Sequence, residues 1–93
     1  MEETTVLEKP ADTGIDTSGG ARVILLNDEV HSFDEVIAQL IKAIHCTPQQ
    51  GENIAWTVHT KGKCEVYRGN MEDCLHVSAV LEEIDLKTQI DFS

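Results

Sequence analysis

Four histidines and three cysteines are the residues of this chain best suited to chemistry, and their spacing withholds most of it. Metal ligands are usually written into a sequence as short-range pairs, which orient each other before the ion arrives. His31, His59, Asp28 and a cysteine could be gathered round a metal, but none of them stands at zinc-ligand spacing. His45 and Cys46 are neighbours at the end of a helical pattern, so their side chains face apart and make a poor nucleophile–base pair. Cys46, Cys64 and Cys74 are odd in number and contain no CxxC, which argues against a disulfide framework. Cys64 and Cys74 read as small buried hydrophobes, and His76 as a solvated helix residue. The chain has no Gly-rich phosphate loop, nucleophile elbow or paired-carboxylate motif. The expectation is a protein that is not an enzyme and uses no metal or cofactor.

Charge narrows the partners. Seventeen acidic residues against seven basic ones give a formal charge of −10 on 93 residues. Such a surface repels phosphate backbones and anionic lipids, so neither nucleic acid nor a membrane surface is an expected partner. A cationic ligand, or a protein with a basic patch, suits it better. No apolar run approaches the roughly 20 residues of a membrane span. The start MEETTVLEK lacks the basic and apolar regions of a secretory signal, so a reduced, cytoplasmic setting is expected.

The elements that must position these residues begin only after Gly20. Residues 1–20 hold Glu2, Glu3, Glu8, Asp12 and Asp16 against Lys9 alone, with little apolar side chain to offset the entropy of ordering, and read as a disordered acidic tail. Residues 21–93 then form one domain. Arg22 to Leu26 is a short branched apolar run, typical of a buried strand. Ser32-Phe-Asp-Glu35 is a capping box, and Phe33, Val36, Ile37, Leu40, Ile41 and Ile44 recur on one helical face as far as about His45. Thr47-Pro-Gln-Gln50 repeats the device and opens a second helix through Ile54, Ala55, Trp56 and Val58, with Gly62 as its left-handed stop. Gly51 inside that helix is a blemish of about 1 kcal/mol relative to alanine. Lys63 to Arg68 alternates as a strand, Asn70 caps a third helix with Cys74, Val77, Ser78 and Leu81 as its buried stripe, and Leu86 to Phe92 alternates as a last strand. The order β-α-α-β-α-β predicts an α+β fold: a small antiparallel three-stranded sheet with helices packed on one face.

Read residue by residue, Asn27-Asp28 is a turn after a strand. His59 is a partner for the negative end of its helix, and Val36, Ala55 and Val58 are core. The combination says more. Val23-Ile-Leu-Leu-Asn-Asp-Glu29, the helix from Phe33, and Trp56-Thr-Val-His-Thr-Lys-Gly-Lys63 together resemble the ClpS family, over about Arg22 to Ile90. These are small adaptors that deliver proteins with destabilising N-terminal residues to a Clp AAA+ protease. The wording Asn-Asp-Glu-Val-His-Ser-Phe is nearer to the ClpS-like domain inside eukaryotic N-recognin ubiquitin ligases. The length of the chain, with its own Met1 and acidic tail, resembles the free-standing adaptor.

The resemblance implies a site. Asn27, Asp28 and His59 would hold the substrate's N-terminal amine. Val36, Ala55, Val58 and Leu86 would wall a pocket for the first side chain, with His31 and Phe33 on its rim. A free α-amino group is a cation with three donors, and convergent acceptors distinguish it from an internal amide by both features. Replacing Asp28 is then expected to cost binding without unfolding the chain. Where this sequence has Ala55, bacterial members typically have a methionine at the pocket mouth, so β-branched first residues are expected to be tolerated here. The resemblance also implies a ClpA-like or ClpC-like ATPase partner that the N-terminal extension helps to engage. However, no Lys or Arg lies between Arg68 and Lys87, where bacterial adaptors carry a docking lysine on the third helix. The alternative is a substrate-binding module of a ubiquitin-type ligase, or a general protein-interaction domain without protease delivery.

Overall fold

The structure, a computed structural model, describes residues 20–92. The expected tail, residues 1–20, lies outside the described residues except for Gly20. The elements follow the expected order: β1 (Ala21–Leu26), α1 (Phe33–Ile44), α2 (Pro48–Lys61), β2 (Lys63–Gly69), α3 (Met71–Glu82) and β3 (Thr88–Phe92).

Each helix begins where its cap dictates. The Ser32 hydroxyl accepts from the Glu35 N–H at 3.2 Å while the Glu35 carboxylate accepts from the Ser32 N–H at 2.8 Å. Thr47 and Gln50 make the same reciprocal pair before α2, and the Asn70 side chain accepts from the Asp73 N–H to start α3. His45 closes α1 in the left-handed conformation (φ 57°), and Gly62 closes α2 at φ 90°, where a side chain would be strained.

The sheet runs β2-β1-β3, antiparallel throughout, with β1 in the centre. Val23 and Leu25 turn one face of β1 to the helices and are fully buried. α3 lies against all three strands, α2 flanks β2, and α1 packs over α2 and α3. Leu40, Leu81, Cys74, Val77 and Val80 complete the core between them.

Four details differ from the sequence reading. The pairing of β1 with β2 shifts between Val23 and Ile24, so that Val66 has no partner. This bulge lets consecutive Val66 and Tyr67 both pack against the core. Cys64, expected to be buried, is half-buried, because β2 is an edge strand. β3 starts at Thr88 and not at Leu86, because Asp85 adopts a left-handed turn (φ 68°) and Leu86 drops its side chain into the core. Gly51 has a packing role the sequence did not show: it marks the close approach of α2 to α1, where a Cβ would meet the Ile37 side chain at 3.1 Å.

Candidate functional site

The loop between β1 and α1 is fixed at its start by two backbone bonds. The Leu26 N–H donates to the Lys87 carbonyl and the Asn27 N–H to the Gly62 carbonyl, each at 2.9 Å. The second bond brings the end of β1 against the last turn of α2, where His59 stands. Strand end and helix end thus converge although Asn27 and His59 stand 32 positions apart in the chain.

Asp28 organises the rest of the loop. One carboxylate oxygen accepts from the Val30 N–H at 2.9 Å and the His31 N–H at 3.0 Å, and the other lies 2.8 Å from His31 Nδ1. Burial pushes the Asp28 carboxyl up, but these three partners together outweigh it and hold the group below its usual range. Asp28 therefore fixes the loop as well as presenting an acceptor: its loss would free the Val30 and His31 N–H groups and His31 Nδ1. Asn27 and His59 differ: both are exposed, and neither side chain has a hydrogen-bond partner among the described residues.

Apolar side chains close the other side. Val36 projects from α1, Ala55 and Val58 lie one turn apart on α2, and Leu86 enters from the connection between α3 and β3. Together with Asn27, Asp28, His31, Phe33 and His59 they line one concavity of about 410 Å³, including its open mouth. Every expected site residue is in this lining. Leu25 and Leu26 complete it and were not anticipated. The period of two that puts Leu25 on the same strand face as Asn27 is the signal that would have found the first. At the mouth, Phe33, Trp56 and His59 meet edge to face, with ring centroids 4.9, 5.6 and 5.9 Å apart. Trp56, 51% exposed, stands outside the lining.

A cavity with acceptors on one lip and aliphatic wall on the other suits a small group with a cationic head and an apolar side chain. Among the described residues, no three His, Cys, Asp or Glu side chains gather as a metal site would require, and no helix is long and apolar enough to cross a membrane.

The family model described as ATP-dependent Clp protease adaptor protein ClpS matches residues 17–90. The chain belongs to the ClpS family. Its relatives in that family fall into two groups. The ATP-dependent Clp protease adapter protein ClpS of Acetivibrio thermocellus is 35% identical over 63 residues, covering 68% of this chain and 64% of that protein. The E3 ubiquitin-protein ligase UBR2 of Homo sapiens is also 35% identical, over 75 residues that cover 80% of this chain. The chain spans only about 4% of the ligase's length. The fold is that of Agrobacterium tumefaciens ClpS2, solved bound to L-phenylalaninamide, with a TM-score of 0.74. That match has 16% sequence identity and covers 78% of this chain and 95% of ClpS2.

Proposed function

We propose that this ClpS-family chain captures the N-terminal residue of a substrate protein and delivers the protein to a Clp AAA+ chaperone-protease, as an adaptor of the N-end rule. The observation that carries the reading is the single cavity in which Asn27, Asp28 and His59 face Val36, Ala55, Val58 and Leu86. The ammonium of a free N-terminus has three donors. Asn27 offers its side-chain oxygen, His59 a ring nitrogen, and Asp28 the remaining lone pair on the oxygen that meets His31. An internal amide brings no charge and one N–H, and would leave these acceptors unpaired. The first side chain, large and hydrophobic or β-branched, enters against the aliphatic wall. The ligand of ClpS2, L-phenylalaninamide, has the same combination of a free α-amino group and an apolar side chain.

The UBR2 relationship favours a second reading, in which the same capture step serves a ubiquitin-type ligase. The two readings share the pocket and differ in what receives the captured protein. The absence of a Lys or Arg on α3 leaves the receiver open between them, and a ClpA-like or ClpC-like ATPase is the partner we propose. In that reading residues 1–20 engage the ATPase, so a form lacking them keeps capture and loses delivery.

The test of capture is a titration with peptides beginning in Phe, Leu, Arg or Met, each with a free and an acetylated amine. Free Phe and Leu peptides should bind with a Kd of the order of 1 μM. Acetylation should weaken them about tenfold or more, through lost charge and unpaired acceptors. Equal affinity for free and acetylated peptides would sink the proposal.

A further inference from the structure

His31 makes two contacts that one neutral ring cannot satisfy. Its Nδ1 lies 2.8 Å from a carboxylate oxygen of Asp28, and its Nε2 meets the backbone carbonyl of Ile84. Both partners are acceptors with no proton to give. A neutral imidazole has a single N–H, so it would turn a lone pair toward one of them. Only the imidazolium donates both ways.

The position of the ring makes this consequential. Asp28 belongs to the loop that holds the acceptor lip, while Ile84 lies two residues before Leu86 of the opposite wall. The His31 side chain, 11% exposed and itself part of the lining, therefore ties the two sides of the cavity together. We propose that His31 acts as an imidazolium and is a positioning residue for N-terminal capture, a two-way donor that sets the spacing between the Asn27-Asp28 lip and the Leu86 wall and makes capture pH-dependent. The inference rests on the capture reading proposed for the same cavity.

Among the charged groups around the ring, Asp28 and Glu35 favour its protonation. Asp28 and Glu29 face it from its own loop and Glu35 from the first turn of α1; Asp85 and Lys87 face it from the α3–β3 connection, and His59 from α2. Acidic groups outnumber Lys87. The Asp28 hydrogen bond, and after it the Ile84 carbonyl, raise the His31 pKa above its ordinary value against the opposing effect of burial. A raised pKa means that the two-way donor is fully present below about pH 6.5, the ordinary imidazole value, and is lost as pH rises through the raised one.

The peptide's α-amino group titrates in the same assay, losing its charge near pH 8. That loss persists in a His31→Gln variant, whose amide donates without titrating. The experiment therefore compares the affinity of a free-amine Phe peptide between about pH 5.5 and 8.5 in the full chain and in His31→Gln. In parallel, ¹⁵N spectra of the histidine rings are recorded on the unsubstituted protein. Expected are N–H protons on both His31 nitrogens at about pH 6, and an affinity that falls about fivefold to tenfold more in the unsubstituted chain than in His31→Gln as pH rises. A single ring N–H at that pH, or parallel pH profiles, overturns the inference. If no peptide binds at any pH, the capture reading fails and the positioning role with it, while the ring spectrum still decides on its own whether His31 donates both ways.

Discussion

The acceptor lip of the cavity, Asn27 to His31, contributes no side chain to the hydrophobic core, whereas much of the wall opposite is that core reaching the surface. Val58 and Leu86 are members of the buried cluster, and Val36 packs against it. Ala55 is as buried as Val58 and Leu86. The lip is held by directional bonds: two backbone ties to β2's approach and to the β3 connection, and the fan of donors on Asp28. The wall is held by area and volume, and it would exist in any well-packed domain of this topology. A residue such as Asn27, whose side chain bonds nothing among the described residues, can thus be changed without touching the packing, whereas a wall residue such as Leu86 cannot.

The largest effect should come from the wall. Leu86 is 4% exposed, so Leu86→Ala removes a core side chain and leaves a void, at about 2–5 kcal/mol. In a domain this small that lowers the Tm by at least about 8 °C, read by thermal melting. Peptide affinity should fall with it. Asn27→Ala is the counterpart on the lip. It should weaken free-amine peptides about tenfold while leaving the Tm within about 4 °C, because no described partner loses a hydrogen bond. A Tm loss equal to that of Leu86→Ala would erase the division between lip and wall.

The same division explains what the sequence revealed. Caps and periodicities are local, and Ser32-Glu35, Thr47-Gln50, Asn70 and Gly62 mark every helix start and one helix stop without reference to the rest of the chain. The wall was legible as core, since Val36, Ala55 and Val58 lie on helical faces that had to be buried. That Asn27, Asp28 and His59 belong together came from the family resemblance, because nothing in spacing tells a strand end that it meets a helix end. His31 was assigned to the rim. Its two-way contact involves a carbonyl 53 residues away, which no local pattern encodes. The bulge at Val66 and the contact of Gly51 with Ile37 were hidden for the same reason.

Ala55 tests the comparison most finely, because it can change the shape of the wall without removing core volume. Its methyl group leaves part of the cavity open beside the place where a substrate's Cβ would rest. A methionine there would extend into that space, where bacterial members of the family typically carry one. A first residue branched at Cβ, such as Ile, would then meet the added thioether, while Leu, branched one carbon further out, would pass it. Pocket changes of this size are worth about 1–3 kcal/mol, so Ala55→Met should weaken an N-terminal Ile peptide about tenfold and change the matching Leu peptide little. Trp56 offers no compensation in the unsubstituted chain: it packs edge to face on Phe33 and His59, outside the lining. The measurement is a pair of titrations, Ile and Leu peptides against both proteins, with the Tm recorded alongside. Equal losses for the two peptides, tracking a fall in Tm, would mean that Ala55 sets packing alone and that selectivity lies elsewhere on the wall.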